Sequence, residues 1–113
     1  MKNIMHIGAY KALISYDPAI QLFRGEFLEL NGGADFYAHD IEGLQREGQL
    51  SLAIFLDECA KRGISPTKTF SGKFVLRLTP EIHQAATIAA ASSGLSLNQW
   101  AVAAIDKAAR VGA

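Results

Sequence analysis

An α+β fold in two parts is what this sequence predicts, on three observations. Residues 9–38 hold three stretches of alternating apolar and polar side chains separated by turn residues. Residues 40–63 repeat apolar side chains at helical spacing between a capping aspartate and a terminal glycine. Residues 73–109 hold a short alternating stretch followed by two helix patterns, each with its own start signal. The expected organisation is an N-terminal antiparallel βββα domain over 1–63, a linker over 64–71 and a βαα segment over 72–113.

In the front part, Tyr10, Ala12, Ile14 and Tyr16 alternate with Lys11, Leu13 and Ser15, so the first strand runs from Ala9 to Tyr16. Asp17-Pro18 turns the chain. A second strand covers about Gln21 to Leu30. Asn31-Gly32-Gly33 is a hairpin signal, because asparagine and glycine tolerate positive φ, and a third strand follows over Ala34 to Ala38. Met1 to Gly8 receives no role. Asp40 caps a helix whose face is Ile41, Leu44, Leu52, Phe55, Leu56 and Cys59. Gly48 weakens it locally by about 1 kcal/mol relative to alanine. Gly63 ends it after Lys61-Arg62, which suit the negative end of the helix dipole.

In the back part, Lys73, Val75 and Arg77 point one way and Phe74, Leu76 and Leu78 the other, a strand with one buried face. Thr79-Pro80 starts a helix with Ile82, Ala85, Ala86 and Ala89 on its apolar side, and Gly94 ends it at positive φ. Ser96 to Gln99 is a capping box, with Leu95 and Trp100 at the spacing of a hydrophobic staple. The helix it opens carries Leu97, Ala101, Ala104, Ile105 and Ala108. About 40 residues cannot bury a sufficient core alone, so a shared core in a two-fold dimer is expected. Its members would be Phe74, Leu76, Leu78, Ile82, Trp100 and Ile105, with the two strands paired antiparallel above four helices.

Ser71-Gly72-Lys73-Phe74-Val75-Leu76-Arg77-Leu78-Thr79-Pro80-Glu81-Ile82-His83 with Ser96-Leu97-Asn98-Gln99-Trp100 resembles the ribbon-helix-helix (Arc/MetJ-like) DNA-binding domain. More narrowly, it resembles the C-terminal half of HicB-family antitoxins of type II toxin-antitoxin systems. Phe23-Arg24-Gly25-Glu26 and Phe55 to Gly63 followed by Pro66 are similar to the front half of that family. The resemblance implies a degenerate RNase H-like front domain that binds a HicA-type mRNA-cleaving toxin, and a back domain that represses the shared operon. In a paired ribbon, Arg77 can bond guanine O6 and N7, Lys73 a guanine or a phosphate, and Val75 a thymine methyl. Ser96 and the amides of Leu97 and Asn98 can hold a DNA phosphate at the helix end. The plainer alternatives are an exposed edge strand whose charges discourage aggregation, and a serine that only caps.

The net charge is zero, but residues 1–60 carry four basic against nine acidic side chains, a net of −5, and residues 61–113 carry seven against two, a net of +5. The basic part fits a polyanion, which the resemblance makes operator DNA, and the acidic part fits a basic protein. No apolar run reaches membrane-spanning length, the N-terminal apolar stretch is too short for a signal peptide, and the single Cys59 forms no disulfide framework, so a cytoplasmic location is expected without membrane association. His6, His39 and His83 lack metal-site spacing, and Asp17, Glu26, Asp35 and Asp57 lie on unrelated elements. Neither a catalytic residue, a metal nor a cofactor is expected, and the chain reads as a homodimer or higher even oligomer. A solitary ribbon-helix-helix regulator, with a front domain that binds a small ligand or mediates oligomerisation, is the competing reading. A protein-interaction module without DNA binding is a third.

Overall fold

A computed structural model describes residues 3–110; the expected domain limits at residues 1 and 113 lie outside them. Four antiparallel strands are followed by three helices: β1 (Ile4–Ile7), β2 (Tyr10–Asp17), β3 (Leu22–Phe27), β4 (Phe36–Ala38), α1 (Ile41–Arg62), α2 (Pro80–Ser92) and α3 (Leu97–Arg110). The chain divides into two compact units, one up to Phe70 and one from Ser71. No helix among the described residues is long and apolar enough to cross a membrane.

The front sheet has the order β1-β2-β3-β4, a meander with one more strand than the sequence reading assigns. The additional strand lies in the stretch left without a role. Ile7 pairs with Tyr10 across a loop of Gly8 and Ala9. Positive φ at Gly8 (58°), and not at Ala9, is the pattern of a type II′ turn, whose twist suits a hairpin. At the other end of β2, Asp17 Oδ1 accepts the Ala19 N–H at 3.0 Å and turns the chain into β3.

Asn31-Gly32-Gly33 does not form a tight hairpin. It lies inside the longer connection between β3 and β4, where Leu30 turns inward and is buried while bridging Thr67. The Asn31 N–H donates to Pro66 C=O at 2.7 Å and the Lys68 N–H to Glu29 C=O at 2.9 Å. Residues 66–68, expected in the linker, thus take up the backbone groups that a two-residue turn would have satisfied locally.

One face of the sheet and the inner face of α1 enclose Ile7, Ala12, Phe27, Leu30, Phe36, Leu44 and Leu52, with Phe55 and Leu56 beside them. Asp40 caps α1 by accepting the Gly43 N–H at 2.6 Å. Gly63 closes it at φ 66°, with its N–H on Ala60 C=O and that of Ile64 on Cys59 C=O. Ile41, expected on the buried face, is 63% exposed although it shares the stripe of Leu44, Leu52 and Cys59: it stands in the first turn, where an open crevice with Met5, Tyr16 and Phe23 leaves it uncovered.

Gly48 reverses its expected meaning. A Cβ there would meet Ile7 Cδ1 at 2.8 Å and Phe36 Cζ at 3.0 Å, so the glycine is what lets the helix approach the sheet. Gly48→Ala raises intrinsic helix propensity by about 1 kcal/mol, but overpacking in a filled core costs about 1–3 kcal/mol. The expected result is a lower urea midpoint for the front unit, and a raised midpoint would refute the close-approach account.

In the second unit, Thr79 Oγ1 accepts the Ile82 N–H at 3.2 Å, with Pro80 in the first helical turn. Gly94, at φ 70°, follows the last turn of α2. The Gly94 N–H donates to Ala91 C=O at 3.1 Å and the Leu95 N–H to Ala90 C=O at 2.9 Å, which is a Schellman ending. α3 then starts on the expected box: Ser96 N–H donates to Gln99 Oε1 at 3.0 Å, and Gln99 N–H to Ser96 Oγ at 3.1 Å.

Candidate nucleic-acid and dimerisation surface

The strand expected over 73–78 is not formed within the single chain. Residues 73–79 run outside any sheet and all are exposed. A β ladder needs a second backbone beside it, and no strand of the described residues lies along this one. What the chain does fix is the start of the segment. Ser71 Oγ accepts the Lys73 N–H at 3.1 Å and donates to Lys73 C=O at 3.3 Å, around Gly72 at φ 83°.

Beneath this segment α2 and α3 leave an open apolar groove of about 840 Å³. Leu76, Leu78, Ile82, Trp100 and Ile105 line it, together with the alanines on the facing sides of α2 and α3. Five of the six residues expected in a shared core are thereby brought to one surface. Phe74 is not among the lining residues and stands 73% exposed. Among the described residues of the unit only Ala86 and Ala90 are buried. Ala90 belongs to the alanine run 85–91, whose composition predicts close helix packing, and stands four residues after Ala86 on the same helix face. Forty residues holding two buried alanines and a groove walled by leucine, isoleucine and tryptophan do not amount to a finished core. An apolar surface of this extent, rimmed by polar residues, marks a place where another surface is to be received.

Lys73, Val75 and Arg77 lie outside that groove. Val75 is 87% exposed. Among the described residues neither Lys73 nor Arg77 has an acidic partner. The alternation read from sequence holds over 75–78 without the ladder, where Leu76 and Leu78 line the groove and Val75 and Arg77 lie outside it, and it fails at Phe74.

At the start of α3, the capping box takes up the amides of Ser96 and Gln99. Those of Leu97 and Asn98 have no protein acceptor among the described residues. They point out of the positive end of the helix, where an anionic oxygen is stabilised. The Ser96 hydroxyl is committed as an acceptor to Gln99, so it has only its own proton to offer an anion. Asn98 also borders the groove.

The acidic character of the front unit is partly neutralised locally. Asp57 bridges Lys61 at 3.1 Å and Glu58 bridges Arg62 at 3.1 Å along α1. On the open sheet face Arg24 Nε donates to Asp35 at 3.0 Å and lies near Glu26. The hydrogen bond and charge of Asp35 hold the Arg24 guanidinium above its ordinary pKa. No group of three His, Cys, Asp or Glu side chains among the described residues is placed to hold a metal ion. Cys59 is buried on α1.

Residues 55–105 match the model of the HicB family, a stretch that begins in the last turns of α1 and runs through most of α3. The match covers 51 of the 113 residues and leaves β1 to β4 outside it. No curated protein and no solved structure matches the chain.

Proposed function

We propose that the chain is a HicB-type antitoxin that represses its own operon: two copies pair residues 73–78 into a ribbon that enters the DNA major groove, while the front unit binds and blocks a basic, HicA-like mRNA-cleaving toxin. One observation carries this reading. The segment that presents Lys73, Val75 and Arg77 to solvent is the same one that sends Leu76 and Leu78 into an uncovered apolar groove. Pairing two such segments satisfies both backbones at once and puts the grooves of two copies face to face. The family match spans this region and points to the same class of protein.

In the paired ribbon, Arg77 reads guanine bidentately, Lys73 a guanine or a phosphate, and Val75 makes apolar contact with thymine. Ser96, Leu97 and Asn98 position the ribbon by holding a phosphate at the N-terminus of α3. One protein thus carries two recognition chemistries, a basic ribbon and a front unit in which nine carboxylates outnumber seven cations up to Phe70. Arg77→Ala is expected to cost about 1–3 kcal/mol at one base position and to relax sequence preference there. Band-shift titration against the chain's own promoter checks it, with a scrambled duplex as control at fixed salt. Unchanged affinity and preference would remove the ribbon from DNA reading. Co-purification of a stoichiometric small basic protein from the native cells tests the toxin half of the reading.

A further inference from the structure

We propose that the front unit has its own self-association surface: the free edge of β1, which pairs antiparallel with the β1 of a second copy to give one continuous eight-stranded sheet. The Ile14 N–H donates to Asn3 C=O at 2.8 Å, and β1 continues in the register Ile4↔Leu13, Met5↔Ala12, His6↔Lys11, Ile7↔Tyr10. In an antiparallel pair, bonded and non-bonded positions alternate. Asn3, Met5 and Ile7 therefore bond inward to β2, and the backbone groups of Ile4 and His6 point outward from the sheet. Gln45 Nε2 donates to the His6 C=O at 3.3 Å, which takes one lone pair of one of these four groups.

Exposed edges are ordinarily blunted by lysine, proline, a bulge or brevity. The opposite edge, β4, is three residues long. β1 reads Ile-Met-His-Ile, with neither proline nor lysine, and its register has no bulge. The α1 residues found against β1, Ile41, Gln45 and Gly48, carry no charge either. An apolar crevice of about 390 Å³ opens at the Ile4 end, walled by Met5, Ile41 and Tyr16, the last two more than half exposed.

These features select a second copy over a foreign strand. An edge pairing antiparallel with itself is a two-fold operation, so each copy supplies what the other lacks. Centred on Met5, the pairing sets Ile4 opposite the partner's His6 and His6 opposite its Ile4, so both outward-facing residues are used. The strands themselves bring no opposed Lys, Arg, Asp or Glu, since β1 has none. The edge does not depend on the ribbon of the proposed function.

Met5→Cys in the full chain tests the edge. Residues on the two-fold axis at a non-hydrogen-bonded position lie close enough to join. Mild oxidation is expected to give a disulfide-linked pair as the main species on a non-reducing gel, and Leu13→Cys, on the open sheet face, is expected to stay single. Hydrogen exchange of the wild-type chain is expected to find the Ile4 and His6 amides protected. Absence of the linked pair with fast exchange at both amides overturns the proposal, and so does equal linking of the two variants. Protection that appears only when another protein is added also overturns it, by placing a foreign strand on the edge. A linked pair that forms while operator binding is absent leaves the edge standing and sinks the proposed function instead; intact operator binding without the link does the reverse.

Discussion

Leu76→Glu is expected to leave the chain monomeric at micromolar concentration and unable to bind operator DNA. In the single chain Leu76 is 56% exposed at the mouth of the groove, so the free chain accepts a glutamate there at little cost. The paired ribbon does not. Pairing places two copies of residue 76 in the shared core, and the substitution forfeits two leucine burials at about 1.5–3 kcal/mol each. It also asks two carboxylates to leave water without a partner, which adds to the loss. At the low end, about 3 kcal/mol raises the dissociation constant by roughly a hundredfold. Analytical ultracentrifugation measures the mass, and Trp100 supplies an independent signal. It is the only tryptophan, it lines the same groove, and its emission is expected to shift red as the groove stays wet. A Leu76→Glu variant that dimerises with unchanged affinity would mean that the groove receives something other than a second copy.

Local chemistry was legible in the sequence wherever it is self-contained. Thr79-Pro80, the Ser96 to Gln99 box, Asp40, Gly63 and Gly94 all do in space what their residue types announce, because a cap is decided within five or six neighbouring residues. Asn31-Gly32-Gly33 misled for the opposite reason. Its tight turn lost to a tertiary alternative, in which Leu30 is buried and residues 66–68 supply the hydrogen bonds. β1 was missed although Gly8-Ala9 has a two-residue hairpin composition, because Ile-Met-His-Ile is too short to display an alternation of its own. The strand read at 73–78 is not formed in the single chain, and under the proposed pairing it needs a second one, which one sequence encodes only as a pattern of apolar residues. The candidate surface was nevertheless largely readable: the same alternation that suggested a ribbon separates Leu76 and Leu78 from Lys73, Val75 and Arg77 in the single chain.

Phe36→Ala is expected to cost the front unit about 3–5 kcal/mol, the ordinary penalty for emptying a phenylalanine site that cannot collapse. The reason lies in two glycines that no local rule explains. Gly25 pairs with Phe36 across β3 and β4, and a Cβ on Gly25 would stand inside the phenylalanine ring, with Phe36 Cε1 at 2.6 Å. Gly48 meets the other side of that ring from α1. Phe36 is thus wedged between a strand glycine and a helix glycine, with Phe27 tilted against it at 5.3 Å between ring centres. Neither glycine has a side chain that could swing into the space, so removing the ring leaves a void lined by backbone. Against a domain stability of about 5–15 kcal/mol, a loss of this size brings the unit close to unfolding. Urea titration followed by hydrogen exchange at β2 and β3 measures it, and Trp100 fluorescence reports the other unit in the same tube. The expected pattern is an early transition at the sheet with the tryptophan transition unmoved, and toxin capture lost while operator binding persists. A drop below about 1 kcal/mol would show that the site closes over the missing ring, and that the glycines are there for some other purpose.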